Sequence, residues 1–239
     1  MSTVSYAFDA NFGVDVPLLI VGAGAAGLCA ALAAKEAGIE PLVIERDTVP
    51  AGSTALSAGL IPAAATRFQR AKGIMDSPQL FAADIARKAN GEADAAVVDA
   101  VAHGAGPLVE WLADRYGLRF EVVDNFNYPG HSVLRMHGLP TRTGLELIDR
   151  LRHAAETSDI AIISERIADG LLAEPDGRIR GVEILRGDGR RERIGCEALI
   201  LACNGFGGNR DLVRRFIPEM ADALYFGHPG NRGDAVMWG

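Results

Sequence analysis

The sequence predicts an α/β fold with a parallel central sheet, a helical insertion and a small antiparallel meander, and three observations predict it. The apolar run Leu18-Leu19-Ile20-Val21 passes through Gly22, Gly24 and Gly27 into an alanine-rich stretch that reaches Ala34. A second apolar run, Pro41-Leu42-Val43-Ile44, follows at the distance expected of a strand-helix-strand unit. A third, Ala198 to Ala202, reads as a buried strand that enters another glycine-rich turn.

The first turn carries chemistry. Gly22 allows the tight exit from the strand, Gly24 lets backbone approach a pyrophosphate, and Gly27 lets the helix pack against the sheet. With Ala23, Ala25 and Ala26 between them, these residues form a loop at a helix N-terminus, where free amides and the helix dipole favour an anion without any basic side chain. Glu45 ends the second strand 18 residues after Gly27, close to the roughly 20 expected of an acid that accepts ribose hydroxyls. Arg46, beside it, joins the candidate set. The unit reads as a Rossmann-like dinucleotide site open to NAD or FAD, or as an ordinary strand-helix-strand unit with a glycine-rich turn.

Composition excludes other classes. The 239 residues carry 24 Lys and Arg against 31 Asp and Glu, a formal charge of -7 with no basic cluster, which argues against a nucleic-acid surface. Cys29, Cys196 and Cys203 form neither a paired framework nor a CxxC, consistent with a reduced protein lacking structural zinc. Val16 to Ala34 is mostly apolar and long enough to imitate a membrane span, but its glycines fit a strand-turn-helix better. Asp9 and Asp15 precede it, where a secretory signal would place basic residues, so the expected location is cytoplasmic.

Residues 1–14 read as a leader and 15–239 as one domain with a helical insertion at about 76–158. The irregular small-residue stretch from Arg46 to Ala65 reads as a ligand-touching loop with short helical turns. Asp76-Ser77-Pro78 opens a helix to about Lys88, and further helices are expected at about 94–104 and 107–116. After a polar loop from Asp124 to Arg142, Thr143 can cap a helix reaching about Thr157, and Ile160 to Ile163 reads as a short strand. Pro175-Asp176-Gly177 and Gly187-Asp188-Gly189 mark the hairpins of the meander, and Asn209 can cap a helix after the last glycine-rich turn.

Four segments in this order resemble the FAD-binding domain shared by fumarate reductase and succinate dehydrogenase flavoproteins, soluble flavocytochrome fumarate reductases and 3-ketosteroid dehydrogenases. They are Gly22 to Gly27 with Glu45, Gly52-Ser53-Thr54-Ala55-Leu56-Ser57-Ala58-Gly59, Ala202-Cys203-Asn204-Gly205 through Asn209, and Gly230-Asn231-Arg232-Gly233-Asp234. The resemblance implies FAD as cofactor and a Rossmann-like FAD-binding fold. It implies that Ser53, Thr54, Ser57, Ala58 and Gly59 lie along the pyrophosphate, ribityl and flavin edge, where Ala51 replaces the usual first glycine. It implies that backbone near Ile167 and Ala168 flanks the adenine, and that Asp234 accepts ribityl hydroxyls. Cys203 and Asn204 stand where the family has Thr and Gly; Asn tolerates positive φ, and Cys203 reads as a small residue beside the cofactor, with no resolving cysteine nearby. His131, Arg135 and His137 resemble a His/Arg-bearing loop of some relatives, open between a polar wall near flavin or substrate and a solvated or backbone-bonded loop. No metal site is expected.

In that family a substrate-capping domain and a last FAD-contacting helix follow the Gly-Asp segment, whereas this sequence stops at Gly239. The expectation is a fragment, a shortened relative, or a chain completed by another polypeptide, with catalytic residues unassigned. The implied activity is hydride transfer between a substrate C–C bond and flavin N5, with a small-molecule substrate and an electron-transfer partner. The alternatives are a non-catalytic FAD-binding module and an NAD-binding protein of related fold.

Overall fold

The computed structural model describes residues 3–6 and 11–239. In chain order the strands are β1 (Thr3–Tyr6), β2 (Val14–Val21), β3 (Pro41–Ile44), β4 (Ile61–Pro62), β5 (Glu121–Val122), β6 (Met136–Gly138), β7 (Ala161–Ile163), β8 (Arg166–Ala173), β9 (Ile179–Arg186) and β10 (Arg191–Leu201). The helices are α1 (Ala25–Glu36), α2 (Gly52–Ala55), α3 (Arg67–Ala71), α4 (Pro78–Lys88), α5 (Ala95–Tyr116), α6 (Gly144–Thr157), α7 (Arg210–Phe216) and α8 (Asp234–Trp238). The chain divides into two units, one of residues 1–56 and 148–239, the other of residues 57–147.

Among the described residues the first unit holds a seven-stranded sheet in the order β1-β8-β9-β10-β2-β3-β7. β10, β2, β3 and β7 pair in parallel, as the buried apolar runs require. β8, β9 and β10 form the antiparallel meander, with Gly177 and Gly189 at φ +89° and +82° in its turns. The core has Leu19, Val21, Ile44, Val182, Ile184 and Cys196 near its centre, all strand residues whose alternate neighbours serve the opposite face. Of the expected leader, residues 1–2 and 7–10, Asp9 included, lie outside the described residues; Val4 pairs in parallel with Leu171 at the sheet edge.

Two expectations change. The last meander strand and the final core strand are one strand, β10, because its two edges serve different partners: Arg191–Gly195 pairs antiparallel with β9 while Ile194–Leu201 pairs parallel with β2. The helices expected at 94–104 and 107–116 are one helix, α5, which runs through Pro107. The proline removes one helical hydrogen bond, a cost of about 3 kcal/mol, but burial of Ala102, Val109 and Leu112 on one face keeps the helix continuous.

The second unit contains α3, α4, α5 and, among its described residues, a three-stranded sheet in the order β4-β6-β5. Ser77 caps α4 by accepting from the Leu80 amide, and Asp94 caps α5. Arg135 and His137, whose role the sequence left open, are fully buried within this unit. Arg135 donates to Asp76 and Asp84, and the His137 ring bridges the Thr66 hydroxyl and the Arg135 carbonyl. All but one of these bonds run to side chains of the same unit.

Candidate functional site

β2 ends at Val21, and Gly22 turns away from it at φ +105°, where a Cβ would sit 2.6 Å from the carbonyl oxygen of Ala202. A Cβ on Gly27 would overlap the carbonyl oxygen of Gly22, so the glycine lets the first turn of α1 lie against the strand exit. Gly24 opens α1 in extended conformation with no side-chain cap. The first amides of any helix lack intrahelical partners. Here the Ala25 amide donates to Thr54 Oγ1 at 3.1 Å, which brings α2 onto the turn.

Glu45, at the end of β3, is buried, and its two oxygens accept from the amides of Ala23 (2.8 Å) and Asp47 (3.0 Å). Each oxygen keeps capacity for a second donor such as a hydroxyl. At the end of β10 the Ala202 amide donates to the Val21 carbonyl, and Asn204 takes a left-handed conformation at φ +65°, as its replacement of glycine requires. Arg46 Nη2 donates to Asp234 Oδ2 at 3.4 Å. Burial pushes the Cys203 thiol above its usual range, which keeps it protonated and unreactive.

These elements surround one cleft within the first unit. It is lined by Gly22, Gly24, Ala25, Ala26, Glu45, Arg46, Ser53, Thr54, Ala168, Ala202, Cys203, Asn204 and Asp234 of the expected set. Ala23 and Gly27 stand behind the lining, the former donating its amide to Glu45. Gly205 lines a neighbouring apolar pocket with Phe206, Leu224 and Tyr225. Ser57, Ala58 and Gly59 belong to the second unit, where Ser57 Oγ accepts from the Gly59 amide and the Ser57 carbonyl from the Gly144 amide. Sequence reading missed Asp47, Arg166, His228 and Trp238, which also line the cleft, as does Gly230 of the fourth segment. A signal for two of them exists: Asp47 lies two residues beyond Glu45, and His228 opens the segment that ends in Gly233-Asp234.

A family model described as the FAD binding domain matches residues 17–238. The chain belongs to that family. Its cofactor is FAD, which decides against NAD. Urocanate reductase of Eggerthella lenta is 31% identical over 212 residues, covering 88% of this chain and 35% of that protein. The probable fumarate reductase Ifc3 of Shewanella frigidimarina is 28% identical over 225 residues, covering 92% and 37%. The open conformation of a flavocytochrome c3 fumarate reductase superposes with a TM-score of 0.89 at 28% identity, over 97% of this chain and 41% of that one. At 20% identity, a 3-ketosteroid dehydrogenase from Rhodococcus jostii shares the fold, with a TM-score of 0.87 over 100% of this chain and 56% of that one. The chain thus spans about a third of the length of the curated relatives named here.

The geometry of the cleft suits such a cofactor. Ser53 Oγ is buried in the lining and has no hydrogen-bond partner among the described residues, as expected of a hydroxyl awaiting a ligand. The close approach at Gly22 and the uncapped start at Gly24 leave room for an anion, and Glu45 and Asp234 place two carboxylates in the lining. Among the described residues no helix is long and apolar enough to cross a membrane, and no cluster of His, Cys, Asp and Glu could hold a metal ion.

Proposed function

We propose that this chain is the FAD-holding part of an oxidoreductase acting on a substrate carbon–carbon bond, in the manner of the fumarate and urocanate reductases it resembles. The observation that carries the reading is the convergence of the ends of β2, β3 and β10 on one cleft, each bringing a different kind of group: backbone amides, a carboxylate and a left-handed turn. Ligands of open α/β sheets lie beyond such carboxyl ends.

In this reading the turn from Gly22 to Gly27 and the start of α1 hold the pyrophosphate, with Ser53 and Thr54 beside it. Glu45 accepts ribose hydroxyls while its bonds to the Ala23 and Asp47 amides fix its orientation. Backbone at Ala168 flanks the adenine, Asp234 accepts ribityl hydroxyls with Arg46 steadying its carboxylate, and Ala202, Cys203 and Asn204 lie along the remaining edge, with Gly205 next in the turn. When bound, FAD supplies hydride exchange at N5, and the protein supplies position and electrostatics. An unsaturated acid such as urocanate or fumarate is the substrate class, a separate redox protein is the electron partner, and free Cys29, Cys196 and Cys203 suit a reducing, cytoplasmic setting.

The test is purification followed by flavin spectroscopy and a panel of unsaturated acids with a reduced dye. Release of FAD on denaturation supports the reading, and a colourless chain that takes up no added FAD overturns it. Because the chain spans about a third of its curated relatives, FAD binding without turnover would identify it as a non-catalytic FAD-binding module.

A further inference from the structure

We propose that Asp47 and His228 form a positioning pair that holds the 228–234 segment against the end of β3 and thereby sets Asp234 at the ribityl chain of FAD. This rests on the reading of the cleft given above.

His228 Nε2 lies 2.9 Å from Asp47 Oδ2, and the Gly230 amide donates to His228 Nδ1 at 3.0 Å. A ring nitrogen that accepts from an amide carries no proton, so the ring hydrogen sits on Nε2 and points at Asp47. The two bonds therefore assign one neutral tautomer and orient the ring between β3 and its own loop. Asp47 is itself held: its amide donates to Glu45 Oε1 and its carbonyl accepts from the Glu165 amide.

The chain is packed closely at Gly230, where a Cβ would lie 2.8 Å from both Arg46 Nη1 and His228 Nδ1. Glu45, Arg46 and Asp47 thus bind three separate partners: the Ala23 amide, Asp234 and His228. On the far side the Asn231 carbonyl accepts from the Gly208 amide. The segment adds no strand to the sheet, so side-chain bonds from Arg46 and Asp47 fix it to β3. Glu45, Arg46, Arg166 and Asp234 are the other charged groups that line the cleft around this pair.

The experiment measures FAD and ADP affinity by fluorescence on the purified chain, with the melting temperature of the apoprotein alongside. Asn at position 228 can still accept from the amide two residues on but cannot reach Asp47; Asn at position 47 can still accept from His228 Nε2. D47A and H228N are each expected to weaken FAD about tenfold, with the double variant no worse than either, while D47N stays within about threefold. ADP lacks the ribityl chain, so its affinity is expected to be unchanged in all of them. Wild-type affinity for FAD in D47A, equal loss of ADP and FAD, or D47N as weak as D47A would each overturn the pair's role. A wild-type chain that binds no FAD overturns the cleft reading, and this inference with it.

Discussion

The carboxylate of Glu45 receives the amide of Ala23 at 2.8 Å, joining the end of β3 to the glycine turn after β2. The same side chain binds the Asp47 amide, so a single buried carboxylate sets the shape of two loops. Glu45→Ala leaves both amides without that acceptor and is expected to destabilise the protein by about 1–3 kcal/mol as well as weaken FAD. Glu45→Gln does not restore it, because the carboxamide NH₂ would face one of the two N–H donors. Chemical denaturation together with FAD titration checks both; a Gln variant equal to wild type would remove the carboxylate from its assigned role.

Gly27 and Gly38 offer a paired test of what glycine does here. Gly27→Ala places a methyl on the Gly22 carbonyl, a backbone clash that cannot be relieved by moving a side chain. It is expected to abolish FAD binding and to cost several kcal/mol, on the order of a badly overpacked core site. Gly38, at φ +78° in open space, has only its left-handed backbone to satisfy, so Gly38→Ala is expected to cost about 1 kcal/mol and to leave FAD binding intact. Thermal melts and FAD titration of the two variants separate close approach from backbone preference.

The glycine turn was legible because its pattern is local: strand, turn, helix and acid follow within thirty residues of chain. Asn204 was legible for a similar reason, since few residues replace glycine at positive φ. The Asp47–His228 pair was not, because each residue merely lies near a motif and only the fold brings the two together. Pro107 misled for an energetic reason, a breaker whose cost is outweighed by the buried face of α5. Arg135 and His137 stood open in the sequence, because their partners Asp76, Asp84 and Thr66 are distant in it.

Acid is expected to weaken the second unit before carboxylates titrate. His137 Nδ1 donates to the Arg135 carbonyl and Nε2 accepts from the Thr66 hydroxyl, both at 2.8 Å, which commits the ring to its neutral form. Burial pushes the pKa of His137 below its ordinary 6.5. For a folded pKa below the unfolded one, the stability contribution is complete above the unfolded value and is lost as pH falls through the folded one. His131, pushed down by burial and then by Arg135, adds to the same loss. Melting temperature is therefore expected to fall as pH drops through the ordinary histidine range and below it, less steeply in His137→Gln; an unchanged slope would show that this ring does not set it.

Arg135 tests the buried charges directly. Its guanidinium is fully buried and forms a two-pronged pair with Asp76 at 2.9 and 3.0 Å and a bond to Asp84 at 2.6 Å. Burial alone would raise the pKa of Asp84, but hydrogen bonds from Ser132, Arg135 and Arg87 outweigh it and hold the carboxyl well below the ordinary range. Arg135→Met keeps much of the volume and removes the buried cation that Asp76 and Asp84 share, a loss expected at about 3–5 kcal/mol. Arg135→Lys retains the charge but not the planar fork, so it is expected to recover only part of that loss. Urea denaturation of the three proteins checks the order. If Met proves as stable as wild type, the cost of burying the charges equals their attraction, and the network contributes specificity of packing instead of net stability.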